Sequence, residues 1–250
     1  MTSLTHSDIK RIKSLAQKKF RDETGLFVVE GEKMVEEALR SSFIVEKVYR
    51  IEDIGADTMA RITRFSTPSP VLALVRKPSG IRLETPEDLQ RAIGSKGLFL
   101  ALDGIRDPGN LGTILRVADW FGLDGVLASD DTVELLNPKV VQATMGALFR
   151  VKFRYCDLPS ACRAAAFAGG KVYGTFLDGE NLYAKTLETG SDLPVLLVIG
   201  NEARGISSAV AGEVAERLYI PSFPREERGS ESLNAAVAAA VAVAEFRRRT

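Results

Sequence analysis

Apolar positions recur along this chain with two periods, and the switches between them delimit its elements. Ile9, Ile12, Leu15 and Ala16 fall at helical spacing, so Ser7 to Gln17 is expected to be a helix with Ser7 as N-cap and a basic opposite face. The apolar run Leu26 to Val29 reads as a strand, followed by a helix from Glu32 to Arg40. Strands Val45 to Ile51 and Val71 to Val75, with a helix near Ala56 to Ile62, complete a βαβαβ run ending at Lys77 and Pro78. Pro78 to Gly97 is polar and rich in Pro and Gly, as expected of a linker, with one short helix from Pro86 to Ile93.

A more regular alternation follows. Strands are expected at Leu98 to Leu102, Gly125 to Ala128, Val151 to Tyr155, Lys171 to Phe176, Val195 to Ile199 and Arg217 to Ile220. Helices are expected near Leu111 to Phe121, Pro138 to Ala147, Leu158 to Ala168, Ser207 to Ala215 and Leu233 to Arg248. Apolar strands interleaved with helices imply a parallel sheet covered on both faces. The fold class is therefore α/β, with a smaller α/β domain over residues 1–80, a linker over 81–94 and a larger domain over 95–250. In such sheets ligands sit beyond the carboxyl ends of the strands.

Composition narrows the chemistry. Hydrophobic residues at 45% and charged residues at 26% are globular proportions. The longest apolar run, Leu233 to Ala244, is too short for a membrane span and mostly Ala, so it reads as a buried helix. The N-terminal stretch lacks the apolar core of a signal peptide, and a cytoplasmic location is expected. Cys156 and Cys162 match neither a disulfide framework nor a zinc motif and are expected to be buried small residues. The single His, His6, lies at the N-terminus, which excludes Ser-His-Asp and Cys-His sites from the core and metal sites built on imidazole.

A formal net charge of zero argues mildly against a nucleic-acid partner, but the charges are unevenly placed. Met1 to Arg21 carries Lys10, Arg11, Lys13, Lys18, Lys19 and Arg21 against Asp8 alone, and Arg61 to Arg82 carries no acid. These stretches are either solvated helix faces or a phosphate-binding surface on the N-terminal part.

Three loops at strand ends stand out. In the first, Asp103 to Arg116, the chain turns through Pro108 and Gly109 and opens a helix with Asn110 in capping position and Arg116 nearly two turns in. It is either an ordinary strand-to-helix turn or a site for a phosphate or carboxylate. In the second, an apolar strand runs into Gly200, Asn201 and Glu202, where a planar ligand is able to approach the backbone at Gly200. The third joins Ile220 and Pro221 to Glu231, Ser232, Leu233 and Asn234 at the mouth of the Ala/Val helix. No dinucleotide fingerprint or P-loop is present.

Together these loops resemble the three motifs of the SpoU or TrmH family of RNA ribose methyltransferases, in the SPOUT superfamily. The N-x-G-x-x-x-R pattern is matched by Asn110, Gly112 and Arg116, the G-x-E-x-x-G pattern by Gly200, Glu202 and Gly205, and the third by Ile220-Pro221 and Ser232-Leu233-Asn234. Ala143 to Arg150 also resembles the family, and Gln17 to Arg21 and Leu26 to Lys33 are similar to its substrate-binding domain.

The resemblance implies a C-terminal knotted, SPOUT-type parallel sheet, with S-adenosylmethionine bound in a trefoil knot, and a homodimer in which both protomers shape the site. It implies methyl transfer to a ribose 2'-hydroxyl in structured RNA, with ribosomal RNA favoured over tRNA because of the extra N-terminal domain. Arg116 would engage the RNA phosphate and help activate the hydroxyl; Asn110, Glu202, Ser232 and Asn234 would hold the site. Cofactor contacts would fall at Gly200, Glu202, Ile220 and Leu233, and RNA contacts at Lys10, Lys18, Lys19, Arg21 and Arg116, with no metal and no membrane. Between Pro221 and Glu231 the loop is longer than usual for the family; Arg225 and Arg228 there either reach RNA or sit on a solvated surface loop. The rivals are a tRNA methyltransferase and a non-catalytic RNA-binding or ribosome-assembly factor of the same fold.

Overall fold

The strand most apolar in the N-terminal part is the middle strand of its sheet. The computed structural model describes residues 4–223 and 232–249 and resolves into two compact units, residues 1–79 with 134–150 and residues 80–133 with 151–250. In the first, β3 (Val71–Arg76) lies between β1 (Leu26–Glu30) and β2 (Val45–Arg50), and both pairings are antiparallel. The βαβαβ reading holds for element order, but the sheet it builds is antiparallel.

Helices α1 (His6–Ser14), α2 (Lys18–Thr24), α3 (Glu32–Arg40), α4 (Ile51–Ile54) and α5 (Ala56–Ile62) complete the N-terminal stretch. Ile9, Ile12 and Leu15 pack with Met59 and Ile62 on Leu26, Val28, Leu72 and Leu74. The N-cap of α1 is Thr5 rather than Ser7, because Thr5 and Asp8 form a reciprocal capping box. α2 was not foreseen; it ends at Gly25, whose φ of 66° is the left-handed cap that glycine adopts without strain. The opposite face of β1 meets α3 and a segment from the chain's second half, α8 (Pro138–Ala143). Phe43 links β1 to the stretch just after α8, edge-on to Phe27 and to Phe149 at ring-centroid distances of 6.3 Å and 5.1 Å. Hence residues 134–150, assigned from sequence to the larger domain, belong to the first unit's core.

The second unit carries a six-stranded sheet in which every pairing is parallel. Its strands are β4 (Gly97–Asp103), β5 (Gly125–Ala128), β6 (Phe153–Tyr155), β7 (Lys171–Asn181), β8 (Pro194–Gly200) and β9 (Glu216–Tyr219), ordered β6-β5-β4-β8-β7-β9. β4 and β8 are buried along nearly their whole length, as central strands covered on both faces must be. One face carries Phe99, Ala101, Leu127, Val172, Leu196 and Val198, which pack with Leu89 and Ile93 of α6 (Pro86–Ile93) and with α9 (Leu158–Phe167). The expected linker is thus partly core; the chain just before α6 also docks on β6, where Leu83 N–H donates to Tyr155 and Tyr155 N–H to Ile81, each at 2.8 Å. The other face takes α7 (Pro108–Trp120) and α11 (Ala235–Arg248), whose alanines let it seat closely; α10 (Ser208–Ala211) is shorter than expected. Tyr173 of β7 meets Phe246 of α11 edge-on at 5.2 Å.

The C-terminus of α11 is fastened by its own arginines. Arg247 donates to the carbonyls of Phe121 and Gly122 at 2.8 and 2.6 Å, satisfying acceptors left open where α7 ends. Arg249 donates to the carbonyls of Leu182, Tyr183 and Lys185, and Glu245, only 7% exposed, accepts from both Arg248 and Arg249.

Candidate active site

The sheet order reverses direction between β4 and β8, with β5 beyond one and β7 beyond the other, and Asp103 is in register with Gly200 at the carboxyl ends of that central pair. Such a switch point leaves a crevice for a ligand.

The first loop departs from the sequence reading in a way that matters chemically. Asp107, not Asn110, caps α7: its carboxylate accepts the N–H of Asn110 at 2.8 Å, with Pro108 in the first turn. Asn110 therefore keeps its side-chain amide for other partners. Its Nδ2 donates to Glu202, and its Oδ1 accepts from Asn234 Nδ2 at 2.9 Å. Asn234 in turn caps α11, its Oδ1 accepting the N–H groups of Ala236 and Val237 at 2.9 and 3.3 Å. Asn110, Glu202 and Asn234, one from each candidate loop, are one hydrogen-bonded network.

The second loop is a tight turn tied to the first. Asn201 and Gly205 exchange backbone hydrogen bonds of 3.0 and 2.9 Å, and Asn201 Oδ1 accepts the N–H groups of Ala203 and Arg204. The other end of that amide, Nδ2, donates to the carbonyl of Gly104 at 2.7 Å. Asp103, buried at the end of β4, accepts the N–H of Ser207 at 2.7 Å. Neither Asp103, Asn201 nor Asp107 was singled out from sequence; the Asn201 signal was an amide inside a Gly-rich turn. A Cβ at Gly200 would meet the backbone of Gly205 and Ile206 at 2.4 Å, so the chain's own turn requires glycine at that position.

Ile220 lies just beyond β9, half-buried, and Leu233 stands exposed beside the N-cap of α11. Neither makes a main-chain hydrogen bond to another described residue. Their free N–H and C=O groups at strand and helix ends suit the edge of a flat heteroaromatic ring, the contact an adenine needs. Ser232 is exposed. Glu231, Arg225 and Arg228 lie outside the described residues.

Arg116 is not gathered into the network. Six residues on from Asn110, it leaves α7 on a different side and is exposed, with no hydrogen bond or ion pair to any described residue. One turn further on the same face stands Trp120, 85% exposed.

Among the basic residues expected on an RNA surface, Lys10, Lys18 and Lys19 are exposed. Lys18 pairs with Asp22 at 2.5 Å and Lys19 with Glu23 at 3.8 Å. Arg21 is a correction. It is 2% exposed, its guanidinium donating to the carbonyls of Leu15 and Ala16 at 2.8 Å and pairing with Glu134, so it holds the first unit together. Arg64, by contrast, has no ion-pair partner among the described residues, and desolvation with the neighbouring Arg21 charge lowers its pKa.

Burial pushes the thiols of Cys156 and Cys162 up to about 12, which removes them as nucleophiles. No metal-binding cluster occurs among the described residues, and no helix among them is long and apolar enough to cross a membrane.

Two family models match the chain: the SpoU rRNA Methylase family over residues 97–244 and the MRM3-like substrate binding domain over residues 6–66. The chain is 31% identical to a Bacillus subtilis protein, the 23S rRNA (guanosine(2553)-2'-O)-methyltransferase RlmP, with 98% of each chain covered. It superposes on a TrmH-family protein from Porphyromonas gingivalis with a TM-score of 0.85 and 36% identity, covering 99% of both. An AdoMet-bound rRNA methyltransferase from Sinorhizobium meliloti matches with a TM-score of 0.84 and 31% identity, over 100% of this chain and 97% of that one.

Proposed function

The chain belongs to the SpoU rRNA methylase family and is an RNA 2'-O-methyltransferase that uses S-adenosylmethionine; on that premise we propose how its residues divide the work. The observation that carries the assignment of roles is the network joining Asn110, Glu202 and Asn234 across three loops at the switch point. S-adenosylmethionine supplies an already activated methyl group, so the protein has to position the ribose hydroxyl and stabilise the charge that develops on it, while the hydroxyl proton passes to solvent as the methyl moves from sulfur to oxygen.

In this reading the backbone groups at Gly200, Ile220 and Leu233 hold the cofactor. Asn110, Ser232 and Asn234 orient the ribose hydroxyl, and Glu202 fixes the Asn110 amide. Arg116 holds the adjoining phosphate and polarises the hydroxyl; its high pKa makes a literal base role less suitable. The separation of Arg116 from the network within one chain supports a homodimer in which each protomer offers Arg116 to the other's site. The exposed Trp120 on the same face, with Val237 exposed on α11 and Leu233 exposed just before its N-cap, supports that interface.

The substrate is structured ribosomal RNA, captured by the first unit through Lys10, Lys18, Lys19 and Arg64, and the enzyme works in the cytoplasm. The test is transfer of tritiated methyl from the cofactor to ribosomal RNA from cells lacking the protein, with mapping of alkali-resistant linkages. One resistant position in ribosomal RNA is expected. Label found only in tRNA overturns the substrate assignment, and label that leaves every ribose alkali-sensitive overturns ribose methylation.

A further inference from the structure

The loop that delivers Asn110 also carries an arginine outside the three motifs, and the surrounding structure is arranged to aim it. Arg106 follows a stem fixed on every side. Gly104 N–H donates to Ser129 Oγ at 2.8 Å, the Gly104 carbonyl accepts from Asn201 Nδ2, and the Ile105 carbonyl accepts the N–H of Val133 at 2.8 Å. Ile105 is fully buried and Arg106 is exposed.

The guanidinium is latched as well. One nitrogen, Nη2, lies 3.3 Å from Asp131 Oδ2, while Asp131 Oδ1 accepts from Ser129 Oγ at 2.7 Å. Beside Ser129, the buried Thr132 hydroxyl donates its one proton to the Leu102 carbonyl at 3.1 Å, so Ser129 is held through Gly104 and Asp131. Nε and Nη1 of Arg106 make no hydrogen bond to any described residue. An isolated exposed ion pair adds little stability and gains nothing from such bracing. A guanidinium held by one nitrogen, with its other nitrogens open at the rim of a polar network, is prepared for a second anion.

We propose that Arg106, latched by Asp131 and Ser129, is a positioning residue for RNA that grips a backbone phosphate flanking the target ribose. The inference rests on the methyltransferase reading above. Arg204 supports the same rim: its backbone N–H is fixed by Asn201, whose side chain also holds Gly104, and its exposed side chain has no partner among the described residues.

The test compares the full-length protein with R106A, R106K and D131N on a ribosomal RNA fragment containing the modified position. R106A is expected to raise KM for RNA about tenfold, the size of one charge-assisted hydrogen-bonded contact, and to leave the dissociation constant for S-adenosylmethionine as in wild type. Its dependence of RNA affinity on salt should become shallower by roughly one counterion. R106K should recover the salt slope but only part of KM, because an ammonium is a point charge without the planar fork. D131N frees the guanidinium without removing its charge and should raise KM by about twofold to threefold with the salt slope intact. Unchanged KM and unchanged salt slope in R106A overturn the proposal while wild type still transfers methyl groups. Wild-type protein that transfers none overturns the underlying reading instead.

Discussion

Asn234 Nδ2 donates to Asn110 Oδ1 at 2.9 Å across 124 positions of sequence, and each of the two residues sits in the first turn, or at the cap, of a different helix. The two differ in what else they hold. Asn234 caps α11, whereas the cap of α7 is Asp107. Asn110→Ala should therefore cut methyl transfer with little change in melting temperature, while Asn234→Ala should also cost about 1 kcal/mol of stability for the lost cap. In a double-mutant cycle the effects on transfer rate should be strongly non-additive. Additive losses in single-turnover kinetics would mean that the pair does not act as a unit.

Asn201 uses both ends of its amide, one for its own turn and one for Gly104. Asn201→Asp keeps the acceptor and loses the donor, so it isolates the tie between the two loops. The aspartate is expected to retain a near-native melting temperature and raise the cofactor dissociation constant about tenfold, the scale of one lost, partly buried hydrogen bond. Asn201→Ala should lose stability as well. Titration calorimetry with S-adenosylmethionine decides it: equal affinity in the aspartate variant and wild type would reduce the tie to a structural detail.

Arg116 makes no hydrogen bond or ion pair with another described residue, so Arg116→Ala should leave the melting temperature unchanged and lower transfer roughly a hundredfold, as loss of a charge-stabilising donor does. If the proposed dimer forms through this face, Trp120→Glu should move sedimentation from dimer to monomer and abolish transfer with it. A fully active monomer would rule out the shared site.

Arg21→Met should leave the affinity for RNA unchanged while destabilising the first unit by about 3 kcal/mol, because Glu134 would lose its partner and the Leu15 and Ala16 carbonyls their donor. Denaturant titration and filter binding separate the two effects. Weakened RNA binding at full stability would restore Arg21 to the RNA surface.

The carboxyl of Glu245 is held down to about 2 by the Arg248 and Arg249 guanidiniums, below an ordinary 4.5. A depressed folded-state pKa contributes stability that is complete above about 4.5 and is lost as pH falls toward 2. The difference in urea midpoint between wild type and Glu245→Gln should therefore be largest near neutral pH and shrink below about pH 4. A difference independent of pH would assign the effect to packing.

The apolar periodicity was enough for the second unit, because buried parallel strands such as Val195 to Ile199 are continuous apolar runs bounded by turns. The strand-end loops, not the periodicity, pointed to Asn110, Glu202 and Asn234, which hydrogen-bond to one another, whereas Arg116 stands apart from them. Sequence reading failed where a long-range partner decides the outcome. Arg21 reads as surface charge until Glu134 is placed beside it, and Asn110 reads as a cap until Asp107 is seen to do that job. The helix expected over Pro138 to Ala147 ends at Ala143, because Met145 at φ 50° and Gly146 at φ 97° turn the chain into a short 3-10 turn at Ala147–Phe149.

Phe149, Glu134 and α8 close a sheet whose strands all lie before residue 80. The substrate-recognition module is therefore not a detachable cassette. A fragment ending at residue 80 would leave Phe43 without Phe149, the nearer of its two ring partners, and Arg21 without its counter-charge. A recombination event that exchanged only the N-terminal stretch would have to bring a compatible 134–150 segment with it, and this binds the evolution of the two stretches together.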